Sequence, residues 1–498
     1  MKILPFCLFL FWAACRGAPI QPGAAQPGQK EDAWDTANNP SHLGDDFIYA
    51  VYALPTEGEA PPPIPGDYWP TYRDSINAKW DSEQPSPVEK YARAFGKDVT
   101  QVMDAVSYAQ GVKSLDYRKA CTSDEDCSDQ NDGSACAASY DGADKRCVPR
   151  WWGICHGWAP YALSEPAAKH SVKRNGVTFY PGDLQALMSL LYTDIDSAML
   201  ATRCELGNHD HPVGSDPSGR TIESSCRDMN AGSWHVLVTN KMGLHHQGFV
   251  LDQSANYEVW NQPGWKFKIN NLVNRRLKQI SRYEAIKKIG GTSSATQVMP
   301  STQLSADATQ SGSYSATESG TLHLRLFGTR EGDGDLYVKR GDGVSLNDFD
   351  CVSDGWTSTE TCSLDVQAGE ELSWLVVGSA RQSTVALYAA YGDSDAYKLN
   401  PDATYFWEVE MEFTFISEAS PSRTASETAH HATSKRYSYV LETDGYQRIL
   451  GGEWVGDSRG DHPDFVWWPV KQGNSFVRGD TAMISYDEVK SLNDEASR

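Results

Sequence analysis

Three residues have the side-chain types and the chain order that cysteine-dependent acyl transfer requires. Cys155 lies in the segment W-W-G-I-C-H-G-W-A-P-Y-A-L, which runs from Trp151 to Leu163. His235 follows in a W-H-V-L run and Asp252 ends an F-V-L-D run, and both runs are predicted to be strands. In such a site the thiolate attacks an acyl group, the imidazole carries the proton and the carboxylate orients the imidazole. The order thiol, imidazole, carboxylate therefore predicts this chemistry.

The cysteine count separates Cys155 from the other thiols. Two of the 11 cysteines, Cys7 and Cys15, fall in an amino-terminal export signal, which leaves nine. The pairs that an oxidising compartment would form come from a polar cluster and two loops: Cys121, Cys127, Cys136 and Cys147, then Cys204 with Cys226, and Cys351 with Cys362. The connectivity within the cluster stays open. Cys155 is the odd one and is predicted to be the nucleophile; the alternative is a buried, inert thiol.

The thiol of Cys155 needs activation, because the thiolate is the nucleophile and the thiol is not. Gly153 predicts a turn, after which Cys155 begins a short or kinked helix that contains Pro160. The amino terminus of a helix favours a negative sulfur. A protonated His235 would stabilise the thiolate further.

Other residues compete for parts of this site. His156 is adjacent to the thiol, but neighbouring residues on a helix point in different directions. Beside the backbone N–H of Cys155, the indole of Trp151 or Trp152 is a candidate oxyanion donor, and packing in the core explains both tryptophans equally well. Asp252 is alternatively an ordinary residue at the end of a strand. Further histidines that compete for the role of base are His245, His246 and His462.

The composition of the chain excludes some classes of partner. The 498 residues carry a formal net charge of -22, so no basic surface is predicted for nucleic acid or anionic lipid. A short apolar run from Ile3 to Cys15 predicts export, with residues 1–18 as signal peptide and Cys15 as a candidate lipid anchor. No later run reaches the roughly 18 apolar residues of a membrane span. The protein is predicted to be secreted or held at the cell surface.

Changes of composition predict how the chain is divided. A single helix is expected over Val88 to Gly111, and short strands over Trp234 to Asn240, Gly248 to Asp252 and Tyr257 to Trp260. A Ser/Thr-rich linker is expected over Ser293 to Ser319. The predicted parts are a flexible tether (19–45), a helical and Cys-rich region (46–150), a first part of the catalytic core (151–295), an inserted β-sandwich (296–393) and a second part of the core with the tail (394–498).

Several segments together resemble the transglutaminase-elicitor family. They lie on both sides of the β block: Y-W-P-T-Y-R-D-S-I-N, S-P-V-E-K-Y-A, A-C-T-S-D-E-D-C, W-W-G-I-C-H-G-W-A-P, N-G-V-T-F-Y-P-G-D-L, E-V-W-N-Q-P and G-G-E-W-V-G-D. The resemblance implies an α+β fold with a papain-like, transglutaminase-type cysteine enzyme core. It also implies protein-glutamine γ-glutamyltransferase activity with Cys155, His235 and Asp252 as the triad.

The β block between the matching segments resembles a different family. G-D-G-D-L-Y-V-K-R-G (Gly332 to Gly341) and A-G-E-E-L-S-W-L-V-V-G look like a bacterial pre-peptidase C-terminal domain. Such a domain implies a role in binding or secretion, in some cases with calcium, for which Asp333 and Asp335 are candidate ligands. The alternative is that both are tight-turn residues.

The predicted reaction joins the side chains of glutamine and lysine on protein substrates through a thioester on Cys155, and its chemistry requires no cofactor. A papain-like cysteine peptidase or a glutamine deamidase is the alternative, because the same groups can cleave an amide with water. A non-enzymatic surface recognition protein is the second alternative. Acidic and aromatic residues that could attract the lysine lie in one segment: Glu453, Trp454, Asp457, Asp461 and Asp464.

Overall fold

The computed structural model describes most of the chain, and its helices lie mainly in the first half and at the carboxyl end. The described residues are 38–43, 47–202, 228–253, 258–289, 295–328, 333–355, 358, 360–378, 383–391, 399–400, 402–479 and 481–498. Their α-helices are α1 (Pro87–Ala94), α2 (Val99–Gln110), α3 (Cys155–Ser164), α4 (Pro181–Leu191), α5 (Ala231–Val238), α6 (Arg282–Lys288) and α7 (Tyr486–Ser497).

The strands before the β block are β1 (Glu57–Glu59), β2 (Ser134–Ala138), β3 (Lys145–Pro149), β4 (Val172–Arg174), β5 (Val177–Phe179), β6 (Ser197–Leu200), β7 (Val250–Asp252), β8 (Asn261–Ile269) and β9 (Lys278–Ile280). Those of the block are β10 (Thr296–Leu304), β11 (Thr309–Ser315), β12 (Gly320–Gly328), β13 (Gly334–Arg340), β14 (Cys351–Ser353), β15 (Glu360–Val366), β16 (Glu371–Gly378) and β17 (Ser383–Tyr391). After it come β18 (Tyr405–Ile416), β19 (Ala432–Thr443), β20 (Ile449–Trp454), β21 (Val466–Pro469), β22 (Phe476–Arg478) and β23 (Thr481–Ile484).

A large antiparallel sheet forms the centre of the fold, with strand order β20-β19-β18-β8-β7-β21-β6. In addition, β1 pairs with β8 and β9 pairs with β18. The longest pair, β18 with β19, runs from Tyr405 opposite Thr443 to Ile416 opposite Ala432. Helix α3 packs against β8, and α4 packs against α3. Helix α5 packs against β19 and β20. The mixed α+β fold class predicted from the sequence is therefore confirmed.

Two four-stranded sheets, β10-β17-β12-β15 and β11-β16-β13-β14, pack as a sandwich within the described residues. Its core has buried side chains from both sheets, among them Leu324, Leu326, Leu336 and Val338. The prediction of a linker over 293–319 was wrong, because β10 and β11 belong to these two sheets. On α6, the ring of Tyr283 lies 5.0 Å from that of Tyr388 in the sandwich.

The disulfides of the described residues confirm several of the candidate cysteines. Cys121 is bonded to Cys136, Cys127 to Cys147, and Cys351 to Cys362. The first two bridges staple the β2–β3 hairpin region and resolve the connectivity of the polar cluster. The candidate pair Cys204 and Cys226, the signal peptide with Cys15, and nearly all of the tether lie outside the described residues. Among the described helices, none is long and apolar enough to cross a membrane.

Three predicted elements differ in the structure. The single helix over 88–111 is two helices, α1 and α2, separated at Gly96, whose φ of 63° is a left-handed conformation that glycine adopts without strain. The predicted strand over 234–240 belongs to helix α5 and the turn of π-helix that follows it. The predicted strand at 257–260 lies partly outside the described residues, and its described part, 258–260, precedes β8, which begins at Asn261.

The packing of α3 on α4 depends on Gly157. A Cβ atom at this position would lie far inside the van der Waals distance of the Ser189 carbonyl oxygen, which is backbone and cannot rotate away. Alanine would gain about 1 kcal/mol of helix propensity. Overpacking of a well-packed contact costs about 1–3 kcal/mol and more when backbone must shift, so the clash outweighs the gain.

We expect Gly157→Ala to lower the free energy of unfolding by about 2 kcal/mol, measured by urea denaturation. Gly460→Ala is the matched control, since no atom lies within 4 Å of a Cβ built there. An unchanged denaturation midpoint for Gly157→Ala would mean that α3 and α4 can separate at little cost.

Candidate active site

Cys155 is the first residue of α3, as the sequence predicts. Pro160 is accommodated inside this helix. The backbone N–H of Ile154 donates a 2.7 Å hydrogen bond to the Tyr68 carbonyl oxygen, which fixes the start of the helix against the segment around Tyr68. Cys155 is a free, buried thiol. Its position at the amino terminus of a helix is favourable for a thiolate.

The sulfur of Cys155 contacts the beginning of β8. The side-chain amide of Asn261 donates to Sγ at 3.5 Å, and Sγ lies 3.9 Å from the Val259 carbonyl oxygen, which can accept from the thiol. Burial raises the pKa of Cys155 to about 11; the hydrogen bonds from Asn261 oppose that rise, and the charges of Glu418 and Asp252 add to it. The thiol is therefore protonated at neutral pH in this arrangement.

We expect the alkylation rate of Cys155 by iodoacetamide to rise about tenfold per pH unit from pH 7 to pH 10, because only the thiolate reacts and the pKa is about 11. A small free thiol, with a pKa of about 8.5, levels off near pH 9 and serves as the control. Mass spectrometry of the alkylated peptide gives the rate. A plateau near pH 8 would contradict the buried, neutral thiol.

Asp252 lies beside the thiol. It is the last residue of β7 and stands opposite Asn261 in the pairing of β7 with β8. Its side chain is fully buried, and its carboxylate accepts a 3.4 Å hydrogen bond from the backbone N–H of Trp260. Two of the three residues predicted for the site, Cys155 and Asp252, are thus brought to the same end of the sheet.

His235 lies elsewhere, on helix α5. Its Nδ1 atom is 2.8 Å from the hydroxyl of Tyr439 on β19, and burial lowers the pKa of His235 to about 3. The ring is therefore neutral and hydrogen-bonded within the core. Its described partner is this hydroxyl, and no described contact joins it to Cys155 or to Asp252.

The sheet separates His235 from the thiol. Trp234, the neighbour of His235 on α5, packs edge-on against Phe249, with ring centroids 5.9 Å apart. Phe249 precedes β7, and its carbonyl oxygen accepts a 2.8 Å backbone hydrogen bond from β8, so the pairing continues there. Successive side chains of a paired strand point to opposite faces, and Asp252, three residues later, therefore points to the other face. The imidazole and the Cys155–Asp252 pair lie on opposite faces of the sheet.

The other predicted residues take different places. Trp151 and Trp152 pack against each other, with centroids 6.1 Å apart, and Trp152 lies under the guanidinium of Arg118 at 5.3 Å. Burial lowers the pKa of His156, which follows the thiol on α3, to about 4. The ring contacts of the two tryptophans do not test their role as oxyanion donors, which stays a prediction.

The residues of the acidic aromatic segment contact different strands of the large sheet. Glu453 and Trp454 end β20, and the Trp454 ring lies 5.3 Å from that of Tyr439, the partner of His235. Asp461 pairs with Lys435 on β19. Asp464, by contrast, donates a 3.2 Å backbone hydrogen bond to the carbonyl oxygen of Asp252, and the role of the segment in attracting a lysine stays a prediction.

Other carboxylates lie near Cys155 instead. Glu418 follows β18 and accepts a 2.6 Å hydrogen bond from the side chain of Gln262. Burial raises the pKa of Glu418, and the charge of Asp67 adds to this effect. Glu418 and Asp67 are held near each other because the carbonyl oxygen of Gly66 accepts a 2.7 Å hydrogen bond from the backbone N–H of Ala419. The sequence carried no periodic or spacing signal for either residue.

The candidate calcium ligands, Asp333 and Asp335, lie at the start of β13 in the sandwich. Burial raises the pKa of Asp333 and the charge of Asp335 adds to this effect; burial also raises the pKa of Glu360, with smaller additions from both. The described residues bring no three carboxylates within 4.8 Å of one another. The arrangement of these carboxylates is therefore not a preformed calcium cage, and the calcium site stays a prediction.

The comparisons with known proteins cover most of the chain. The family model described as "Transglutaminase elicitor" matches residues 35–306 and 358–498. The chain belongs to the transglutaminase elicitor family. The stretch between the two matched ranges, 307–357, falls within the sequence range of the sandwich. The match includes Cys155, Asp252 and Asn261.

A solved structure agrees with the family. The GP42 transglutaminase from Phytophthora sojae is 27% identical, with a TM-score of 0.57, over 93% of this chain and 97% of that one. A Yersinia pseudotuberculosis mitogen (16% identity) matches 21% of this chain and 91% of its own, with a TM-score of 0.16. An Aeromonas hydrophila periplasmic lysozyme inhibitor (13% identity) matches 20% and 87%, also at 0.16. No curated protein matches the chain.

Asn261 is the functional candidate that the reasoning from sequence missed. It contacts the sulfur from a position 106 residues further along the chain. The signal available was its place in the segment E-V-W-N-Q-P, one of those that carry the resemblance to the transglutaminase elicitor family.

Proposed function

We propose that this protein is a secreted protein-glutamine γ-glutamyltransferase in which Cys155 forms the thioester. The observation that carries the proposal is the free cysteine at the start of a helix, held beside Asp252 and Asn261, in a chain of the transglutaminase elicitor family. The GP42 protein, named a transglutaminase, supports the activity through its similarity over almost the full chain. The disulfides are consistent with secretion.

The reaction proceeds in two steps. The sulfur of Cys155 attacks the carboxamide carbon of a glutamine side chain, the C–N bond breaks, and the thiol proton leaves on ammonia. A neutral lysine amine then attacks the thioester, the C–S bond breaks, and a proton of the amine returns to the sulfur. The product is an isopeptide bond. Attack by water at the second step gives deamidation instead.

The proposal retains Cys155 as the nucleophile and Asp252 as a residue of the site. It does not use His235 as the base. His235 is hydrogen-bonded to Tyr439 on the opposite face of the sheet. With a thiol pKa of about 11, about one molecule in 10,000 holds the thiolate at pH 7. Binding of the glutamine substrate must therefore be accompanied by proton transfer from the sulfur.

The charge near the thiol suits a lysine as the second substrate. The charge of Asp67 raises the pKa of Glu418, and the charge of Glu418 raises the pKa of Cys155. An ammonium ion that approaches between them would meet negative charge on two sides. This field attracts the ammonium form of lysine to the site, and the amine attacks after it has passed one proton to a nearby carboxylate; water, which is uncharged, gains nothing from the field.

The proposal is tested with a glutamine-bearing protein and a fluorescent alkylamine. We expect covalent labelling of glutamine and release of ammonia in equal amounts. A glutamine mass gain of about 1 Da without amine would indicate a deamidase, and new amino termini would indicate a peptidase. Folded protein that gives none of these products on a panel of glutamine-bearing proteins would overturn the proposal in favour of a non-enzymatic role.

A further inference from the structure

A line of three side chains ends at the sulfur of Cys155. The indole N–H of Trp467 donates to Asn261 Oδ1 at 2.7 Å, and Asn261 Nδ2 donates to Sγ at 3.5 Å. Trp467 and Asn261 are buried, with 2% and 6% of their surfaces exposed. The amide orientation follows from chemistry, because an indole nitrogen can only donate and its partner must be the amide oxygen. The NH₂ group of Asn261 therefore faces the sulfur.

Regular strands hold both side chains. Asn261 begins β8, opposite Asp252 on β7, and Trp467 lies on β21, opposite Val250 on the other side of β7. Asp252 and Val250 are two residues apart, so all four side chains share the face of the sheet on which the thiol lies. The bond from Trp467 to Asn261 spans β7. Sites on strands keep their geometry better than sites on loops.

The groups around the sulfur make the amide donor important. The titratable groups on the elements packed around it are Asp252 on β7, Glu418 after β18, Asp67 and Tyr68 in the segment before α3, and His156 on α3. The carboxylates oppose a negative sulfur, and burial removes the solvation that a thiolate needs. A hydrogen bond donated to the charged form of a group favours that form.

We propose that Asn261 is a catalytic residue that stabilises the thiolate of Cys155 through its side-chain N–H, and that Trp467 is the positioning residue that holds the amide. The proposal rests on the proposed function only for its effect on turnover. The ionisation of the thiol can be measured without any substrate.

The test compares the alkylation of Cys155 by iodoacetamide, from pH 7 to pH 10, in the full chain and three variants. We expect Asn261→Ala to alkylate at least tenfold more slowly at pH 8, because it removes the donor. Trp467→Phe removes the indole N–H and keeps an aromatic ring, and should slow alkylation by a smaller factor. Trp468→Phe is the matched control, since Trp468 points to the opposite face and packs on Lys241; its rate should not change.

Turnover gives the second measurement. For amine incorporation, Asn261→Ala and Trp467→Phe should lower kcat with little change in KM, because the donor acts on the reacting sulfur. Equal alkylation rates at every pH for wild type and both variants would overturn the inference. If Asn261→Ala does not fold, Trp467→Phe still decides it. If wild type incorporates no amine, the proposed function fails while the alkylation rates still decide this inference.

Discussion

Replacing Cys155 with alanine is expected to lower the rate of amine incorporation by about 10⁴-fold or more, because removal of a covalent nucleophile abolishes the intermediate. Cys155→Ser should be almost as inactive, since a hydroxyl ionises far less readily than a thiol. Fluorescence of the labelled glutamine substrate gives the rates. Both variants should keep the wild-type unfolding midpoint within a few degrees, because the change removes or replaces one buried atom.

The control for this experiment is a cysteine substitution away from the thiol. The double variant Cys351→Ser with Cys362→Ser removes the bridge in the sandwich and leaves Cys155 in place. It should keep most of the activity if it remains folded. With a glutamine peptide and no amine, mass spectrometry should find the peptide on Cys155, less one ammonia, in this control and not in Cys155→Ala. Incorporation by Cys155→Ala at a tenth of the wild-type rate would exclude the thioester on this residue.

Local signals explain why the position of Cys155 was predictable. The P-G-D sequence begins α4 at Pro181, and the carboxylate of Asp183 caps the start of the helix by accepting from the backbone N–H of Tyr180. Strand β18, Tyr405–Ile416, is likewise a run rich in aromatic residues whose side chains alternate between the two faces of the sheet. The turn before Cys155 likewise marks the start of α3. Each signal lies within a few residues of the element that it determines.

His235 shows where local reasoning stops. The run W-H-V-L is short and apolar, and such a run is equally compatible with a buried strand and a buried helix. The signal for the helix precedes it: the side chain of Asn230 caps α5 by accepting from the N–H groups of Gly232 and Ser233. If the W-H-V-L run were a strand, it could have placed the imidazole of His235 beside β7. As a buried helix it lies on the far face of the sheet.

Composition misled the prediction for the start of the sandwich. The segment T-Q-S-G-S-Y-S of β11 is polar, and it reads as a linker on composition alone. Most of its side chains are exposed, and the strand pairs along its full length with β16. Since backbone hydrogen bonds to β16 hold it, few apolar side chains are needed. The contact between Asn261 and Cys155 was out of reach for a related reason, because only the pairing of distant strands creates it.

A buried ion pair behind the site should have a large effect on stability. Lys90 on α1 contacts Asp183 on α4 at 2.6 Å, with side chains 1% and 0% exposed. Asp183 also accepts from the indole of Trp80 at 2.9 Å, and the Lys90 ammonium lies 4.8 Å from the ring centre of Tyr180. Removal of one member of such a pair leaves the other charged and desolvated. The pair joins α1 to the helix that supports α3.

We expect Lys90→Met to lower the free energy of unfolding by about 3–5 kcal/mol at pH 7, measured by urea denaturation. The double variant Lys90→Met with Asp183→Asn should recover part of this loss, because the introduced carboxamide carries no charge and can still accept from Trp80. Arg93→Met, on the same helix, is the matched control: its partner Glu89 forms a pair whose arginine is 53% exposed, and exposed pairs contribute about 0–1 kcal/mol.

The dependence on pH separates charge from packing in this pair. Burial raises the pKa of Asp183, and Lys90 is the first of the groups that oppose this rise. In Lys90→Met the pKa of Asp183 should therefore rise further, so that the carboxyl becomes neutral on mild acidification. The stability gap between Lys90→Met and wild type should narrow from pH 7 to pH 5. A gap that stays constant with pH would mean that the lost methylene packing and cation–π contact cause the destabilisation, and that the unpaired carboxylate does not.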